Sequence, residues 1–177
     1  PLGNLAVIGY DANGNIVFLK DRNNNSSTMT YDSRNRLVTI TDNNGSVTAI
    51  TYNNIGEIVS LKDANNNITN YQYDNLRRVT KVTYPNGQFL QFSYDVKNNV
   101  VQKIMTDGRS VAYTYDTLNR MVAKTFPDGQ VFTYAYDNIG RVISATNNSG
   151  KVQLAYDNMT RVVSETFNGK TIRYQYN

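Results

Sequence analysis

Tyr136-Asp137-Asn138-Ile139-Gly140-Arg141 is the stretch on which the reading of this 177-residue chain turns. Its tyrosine recurs. Tyr10, Tyr31, Tyr52, Tyr73, Tyr94, Tyr115, Tyr136, Tyr156 and Tyr176 stand 21 residues apart in the first six steps and 20 in the last two. A fixed period of this size marks a repeat architecture, in which one supersecondary unit cannot bury its apolar side alone and stacks on its neighbours. An aspartate follows most of these tyrosines: Asp11, Asp32, Asp74, Asp95, Asp116, Asp137 and Asp157. Gly or Asn comes four residues after the tyrosine in most copies, with Gly14, Gly56 and Gly140 among them. An arginine closes several copies (Arg36, Arg78, Arg120, Arg141, Arg161), and an apolar pair such as Leu37-Val38, Ile58-Val59 or Val142-Ile143 comes next.

The residues around this motif favour strand and turn. Asn, Gly, Thr, Tyr and Val dominate, and these suit pleated or left-handed backbone better than helix interiors. Two turn signals fall in each repeat. The first is Asp-x-x-Gly/Asn after the tyrosine, where Asp can bond its own backbone two residues on and Gly or Asn tolerates the left-handed conformation. The second lies near Asn43-Asn44-Gly45, Pro85-Asn86-Gly87, Thr106-Asp107-Gly108 and Pro127-Asp128-Gly129. It is the pattern of a type I turn closed by a left-handed residue, which is a hairpin connection. About six residues separate the turns, the usual length of a strand. The chain thus reads as an antiparallel up-and-down ribbon of about sixteen strands.

Register follows from parity, because every repeat must return its tyrosine to the same face. A four-residue Asp loop sets Tyr136 opposite Arg141, and a three-residue second loop then sets Phe126 opposite Gln130. The shorter last repeat becomes a two-residue Asn168-Gly169 hairpin, while the 20-residue step at Asn147-Asn148-Ser149-Gly150 is left open, a bulge being one way to close it. One face carries Tyr134 and Tyr136 with Val122, and Tyr113 and Tyr115 with Val101, with arginines stacked beside the rings. The other carries Leu37, Ile58, Met121 and Val142 with Thr, Ser and Ala. In early copies the aliphatic on the tyrosine face is Leu19, Ile40 or Leu61. In later ones Lys103, Lys124 or Glu165 takes that place, and Met105, Phe126 or Phe167 follows two residues on.

Composition narrows function. The chain has 14 Tyr but no His, Cys or Trp, and is 40% hydrophobic, enough in a chain of this size to bury a core. Without cysteine there is no disulfide framework, and without His or Cys the usual catalytic bases and nucleophile pairs are missing. An enzyme is therefore not expected, nor a cofactor. A net charge of +4 is spread along the repeats with no cluster, which argues against nucleic acid as a partner. No apolar run is long enough for membrane insertion as a helix. Asp11-Ala12-Asn13-Gly14-Asn15 and Asp63-Ala64-Asn65-Asn66-Asn67 offer alternating oxygens for calcium, but neither completes the acidic loop pattern, and a turn role is the better reading. No metal site is assigned.

Tyr-Asp-x-x-Gly-Arg-Val/Leu, a strand, a Pro-Asp-Gly turn and then aromatic-x-Tyr-Asp resembles the YD repeat of Rhs proteins. Wall-associated proteins, the C components of insecticidal toxin complexes and teneurins share this repeat. The likeness runs from Tyr10 to Asn177. Asn replaces Asp at Asn53 and Asn177, and Lys97-Asn98-Asn99 replaces the Gly-Arg corner. The resemblance implies an all-β fold of antiparallel β-hairpin repeats forming a curved, spiralling sheet, a segment of an Rhs-type shell. It also implies a non-enzymatic wall around a toxin or other polypeptide cargo, and secretion or cell-surface display. The 177 residues carry no signal-peptide pattern, and with Pro1-Leu2-Gly3 read as a tag remnant a natural leader or much more chain could precede them. The expected organisation is an N-terminal flank over residues 1–9, with Pro1-Leu2-Gly3 a tag remnant, and a repeat domain of about eight repeats over 10–177. Partners would be the remainder of the shell and the enclosed polypeptide. An alternative is a cell-surface adhesion module holding glycan or protein on exposed tyrosines. Unpaired strands at the ends of such a window would invite self-association with another copy.

Overall fold

The computed structural model describes residues 6–177, so the reading of Pro1-Leu2-Gly3 as a tag remnant lies outside the described residues. Among the described residues every regular element is a β-strand, 17 in all. Phe89 closes one compact unit and Leu90 opens a second. The first unit holds β1 Val7–Tyr10, β2 Ile16–Lys20, β3 Ser26–Tyr31, β4 Leu37–Thr41, β5 Val47–Tyr52, β6 Ile58–Lys62, β7 Ile68–Tyr73 and β8 Val79–Thr83. The second runs from β9 Phe89–Tyr94, which starts at the boundary, through β10 Val100–Ile104, β11 Ser110–Tyr115, β12 Met121–Thr125, β13 Val131–Tyr136, β14 Val142–Asn147, β15 Gly150–Tyr156 and β16 Val162–Phe167 to β17 Lys170–Arg173. Within each unit every strand pairs antiparallel with the next. The up-and-down hairpin fold is as the repeat implies, and β1 begins inside the flank assigned to residues 1–9.

Composition and size allow a core, but the described residues build almost none. Val111 is the one buried hydrophobic residue among those described. The chain exposes 12145 Å², where a globular protein of its mass would expose roughly 8,700 Å². With so little buried among the described residues, the stability of each unit has to come from contacts between its neighbouring strands.

Both loops of the repeat hold three residues. The Asp137 N–H donates to the Arg141 carbonyl at 2.9 Å, and the Gly140 N–H to the Asp137 carbonyl at 3.2 Å. Across Pro127-Asp128-Gly129 the Phe126 N–H donates to Gln130 at 2.8 Å, as expected. The Asp loop therefore holds three residues, Asn138 to Gly140, and not the four expected. Tyr136 faces Val142 rather than Arg141, and Ala135 faces Ser144, which leaves Ile143 as an extra residue in the strand. The same bulge sits beside every tyrosine from Tyr10 to Tyr156. The parity of the repeat is kept because the fourth residue lies in the strand instead of the loop. The apolar pair after each loop is the two-against-one position of the bulge. Leu37, Ile58, Met121 and Val142 therefore oppose Tyr31, Tyr52, Tyr115 and Tyr136 instead of lining the opposite face.

The two short repeats use two-residue turns. Asn147 faces Gly150 with no bulge, which settles the step the sequence left open, and Phe167 faces Lys170 across Asn168-Gly169. Asn168 at φ 46° and Gly169 at φ 85° make the mirror-image turn that suits strand twist.

Cross-strand partners separate two chemistries. On one face Tyr113 and Phe132 oppose Lys124. The Lys124 ammonium lies 4.4 Å from the Phe126 ring centroid and 5.9 Å from that of Tyr113. A cation can thus replace the aliphatic of earlier repeats because it sits on aromatic rings. The other face is small and uncharged where Thr114 opposes Ala123 and Ala123 opposes Thr133, and Thr30 and Thr39 share a 2.6 Å hydroxyl contact there.

The third residue of each three-residue loop is left-handed. Most are Gly or Asn, but Thr160 has φ 64°, a conformation that strains a β-branched residue. Thr160→Gly is expected to raise the unfolding free energy by about 1 kcal/mol in urea titrations; an unchanged or lower value would show that this strain is absent.

Candidate functional site

The Tyr-Asp-x-x-Gly-Arg loops are where the recurring polar side chains converge. Asp32 Oδ1 accepts the N–H of Arg34 at 2.9 Å and of Arg36 at 3.0 Å, and Oδ2 accepts Arg36 Nε at 2.7 Å. Arg78, Arg120, Arg141 and Arg161 bind Asp74, Asp116, Asp137 and Asp157 in the same way, with Nε···Oδ2 distances of 2.6–2.7 Å. The aspartate therefore holds both its own turn and its own arginine. Asp11 and Asp95 do this with Asn15 and Asn99, whose amides donate to Oδ2 at 2.8 and 2.9 Å. Gly14, Gly56 and Gly140 supply φ of 84°, 93° and 92°.

The tyrosine reaches back one repeat. Tyr31, Tyr52, Tyr73, Tyr115 and Tyr136 donate their hydroxyls to the carbonyls of Ile16, Leu37, Ile58, Val100 and Met121 at 2.7–3.0 Å. Tyr156 and Tyr176 do the same to Val142 and Val162. Each acceptor is the first residue of the bulge pair in the preceding hairpin, where the ladder is interrupted and a carbonyl needs a partner. Tyr94 ends β9 opposite Val100, and Tyr10, at the end of β1, is 60% exposed.

The arginine reaches forward. Arg36, Arg120, Arg141 and Arg161 lie over the rings of Tyr52, Tyr136, Tyr156 and Tyr176 with 4.3–4.7 Å between guanidinium carbon and ring centroid. Arg120 Nη1 also donates to the Asp137 carbonyl at 3.0 Å, and Arg141 Nη1 to that of Asp157 at 3.3 Å. One loop therefore clasps the next through a stacked ring, a hydroxyl and a guanidinium. The sequence placed Arg beside Tyr; it did not show that the partners lie in successive repeats, because the bulge carbonyl leaves no mark in side-chain patterns.

The calcium-like loops are closed turns. Asp11 accepts from the Asn13 and Asn15 backbone and the Asn15 amide, and Asp63 from Asn65 and Asn67 likewise. Glu57 is held by Asn53 and Arg77, and Glu165 accepts the Tyr174 hydroxyl at 3.4 Å. A further feature is apolar loop tips. Ile55 and Leu76 in the first unit, and Val96, Leu118, Ile139 and Met159 in the second, are exposed, Val96 at 96%.

The loop bonds favour ionised carboxylates. The Arg36 side chain and its backbone N–H hold Asp32 at about 2. The Asn15, Arg78 and Asn99 side chains lower Asp11, Asp74 and Asp95, and backbone N–H groups led by those of Arg120 and Arg161 lower Asp116 and Asp157. At Asp137 partial burial pushes upward and is outweighed by Arg141. A depressed folded-state pKa contributes stability above the unfolded value near 3.9 that is lost as pH falls through the folded one. Urea midpoints should be level above about pH 5 and fall between about pH 4 and 2; a flat profile across that acid limb would contradict the clasp.

The sequence matches the teneurin YD-shell family over residues 4–135. Among solved structures the chain is similar to the Photorhabdus luminescens Tc holotoxin pore carrying a TccC3 D651A mutation, with a TM-score of 0.72 and 18% identity. It is likewise similar to TcdB2-TccC3-Cdc42 (0.73, 18%) and to TcdB2-TccC3 without its hypervariable C-terminal region (0.72, 19%). In each case 89% of this chain is covered but only 10% of the matched chain, so the chain spans about a tenth of the length of those structures. No curated protein sequence gives a match. Loop and bulge recur along the described part of the matched region, and the chain belongs to the teneurin YD-shell family, a shell-forming structural module.

Proposed function

We propose that this chain is a non-enzymatic stretch of shell wall in a secreted or surface-displayed protein, and that the shell encloses a polypeptide cargo. One observation carries the reading: the motif's recurring Tyr, Asp and Arg side chains bond to their own loop and to the neighbouring repeat. Chemistry needs groups held free for a substrate, whereas these groups hold a sheet together. The similar solved structures belong to toxin assemblies, one of them studied without its hypervariable C-terminal region, which supports a wall-and-contents arrangement. The exposed apolar loop tips fit a rim covered by the remainder of the shell, since such side chains in a row mark contact surfaces.

A glycan platform on the tyrosine ladder finds less support. The ladder rings from Tyr52 to Tyr156 that lie under guanidinium groups already use their hydroxyls, so a sugar would compete with the clasp.

The intact parent protein, digested with a protease of broad specificity, provides the test. Its enclosed segment should survive while the shell is closed and be cut once clasps are opened by combined Arg120→Ala and Tyr136→Phe substitutions. Equal digestion of that segment in both proteins would contradict encapsulation.

A further inference from the structure

The departures from the repeat are matched across neighbouring loops. At several junctions two positions meet: the closing residue of one tyrosine loop, where Arg is commonest, and the left-handed residue of the next. At the first junction Asn15 Nδ2 donates to Asn35 Oδ1 at 3.0 Å. In the second unit Asn99 Nδ2 donates to Asn119 Oδ1 at 3.1 Å. Where the closing residue is Arg36, the next left-handed residue is Gly56, and a Cβ built there would meet Arg36 Nη1 at 3.5 Å. Arg120 is likewise followed by Gly140. Arg36 thus packs against the bare Gly56 backbone, whereas Arg78 and Arg141 are followed by left-handed Asn98 and Thr160, so arginine does not require glycine. A short asparagine is met by a second asparagine that completes the bridge.

The clearest case is the most irregular loop. Glu57 stands where arginine is usual, and Arg77 stands left-handed at φ 64° where Gly or Asn is usual. The two form an ion pair, Arg77 Nε to Glu57 Oε1 at 3.1 Å, with the Glu57 side chain only 9% exposed. Arg77 Nη2 also donates to the Ile55 carbonyl at 2.9 Å. Inside its own loop Glu57 Oε2 accepts the amide of Asn53 at 2.6 Å. An aspartate at position 53 would place two carboxylates together, so Asn53, Glu57 and Arg77 form one interlocking set. The neighbouring pairings explain why the set cannot be moved. If the repeat from Tyr52 were skipped, the cadence and the faces would be preserved, yet Arg36 would meet Arg77, cation against cation.

We propose that these residue pairs are matching keys that fix which repeat stands beside which. Repeats this alike can slip by one unit without disturbing the tyrosine ladder, and unequal, complementary contacts are the means of excluding such alternatives. Glu57 and Arg77 are the specificity-determining pair of the first unit, and Asn99 with Asn119 that of the second.

Charge reversal in the whole chain tests this while holding the backbone cost at position 77 similar. Glu57→Arg and Arg77→Glu singly should each shift the unfolding equilibrium about tenfold toward the unfolded state, and the double variant should recover most of the loss, because contacting residues couple. If the position 57 variants do not fold, Asn99→Arg with Asn119→Gly decides the matter. The double, which recreates the Arg–Gly junction, should be more stable than the two single effects predict. Additive effects at the junction measured would overturn the proposal.

Discussion

A tyrosine hydroxyl resting on a bulge carbonyl is the contact on which this sheet depends. The bulge is needed to keep the tyrosines on one face when both loops are three residues long, and it interrupts the ladder as it does so. A buried or half-buried carbonyl without a partner is costly, and the tyrosine of the following repeat supplies the partner. Each hairpin is therefore completed only by its successor. The guanidinium stacked over the same ring adds about 0.5–1 kcal/mol at a solvent-facing site, of the same order as the roughly 1 kcal/mol of the hydroxyl bond.

This arrangement explains how a chain with Val111 as its one buried hydrophobic residue among those described can hold a fold. Repeat proteins are stabilised by interfaces between neighbours rather than by a central core. Here each interface is small, polar at the loop and aromatic along the strand. That division suits a wall, which must present two surfaces and have no interior of its own. It also leaves the face opposite the tyrosines, where Thr114, Ala123 and Thr133 meet, free of the charges and rings that the clasp uses.

Much of this was legible in the residues. The cadence, the antiparallel hairpins, the left-handed Gly and Asn positions, the three-residue Pro-Asp-Gly loop and the Asn168-Gly169 turn follow from turn chemistry, which is local. The bulge did not, because a two-against-one strand and a four-residue loop satisfy the same parity; the pair Val142-Ile143 was its only trace. The missing core was equally hidden, since a 40% hydrophobic composition does not tell one layer from two. Of the clasp, the pairing of Asp137 with Arg141 lies within four residues and could be foreseen, whereas the bond from Tyr136 to Met121 spans 15 and needs the fold. Glu57 and Arg77 read as irregularities until the two loops are seen side by side.

The most direct measurement is the unfolding free energy of Tyr136→Phe, which removes one oxygen and leaves the ring under Arg120. The account expects a loss of about 1 kcal/mol, with faster hydrogen exchange confined to the strands around Met121 and Tyr136. Stability and exchange identical to the parent chain would contradict it.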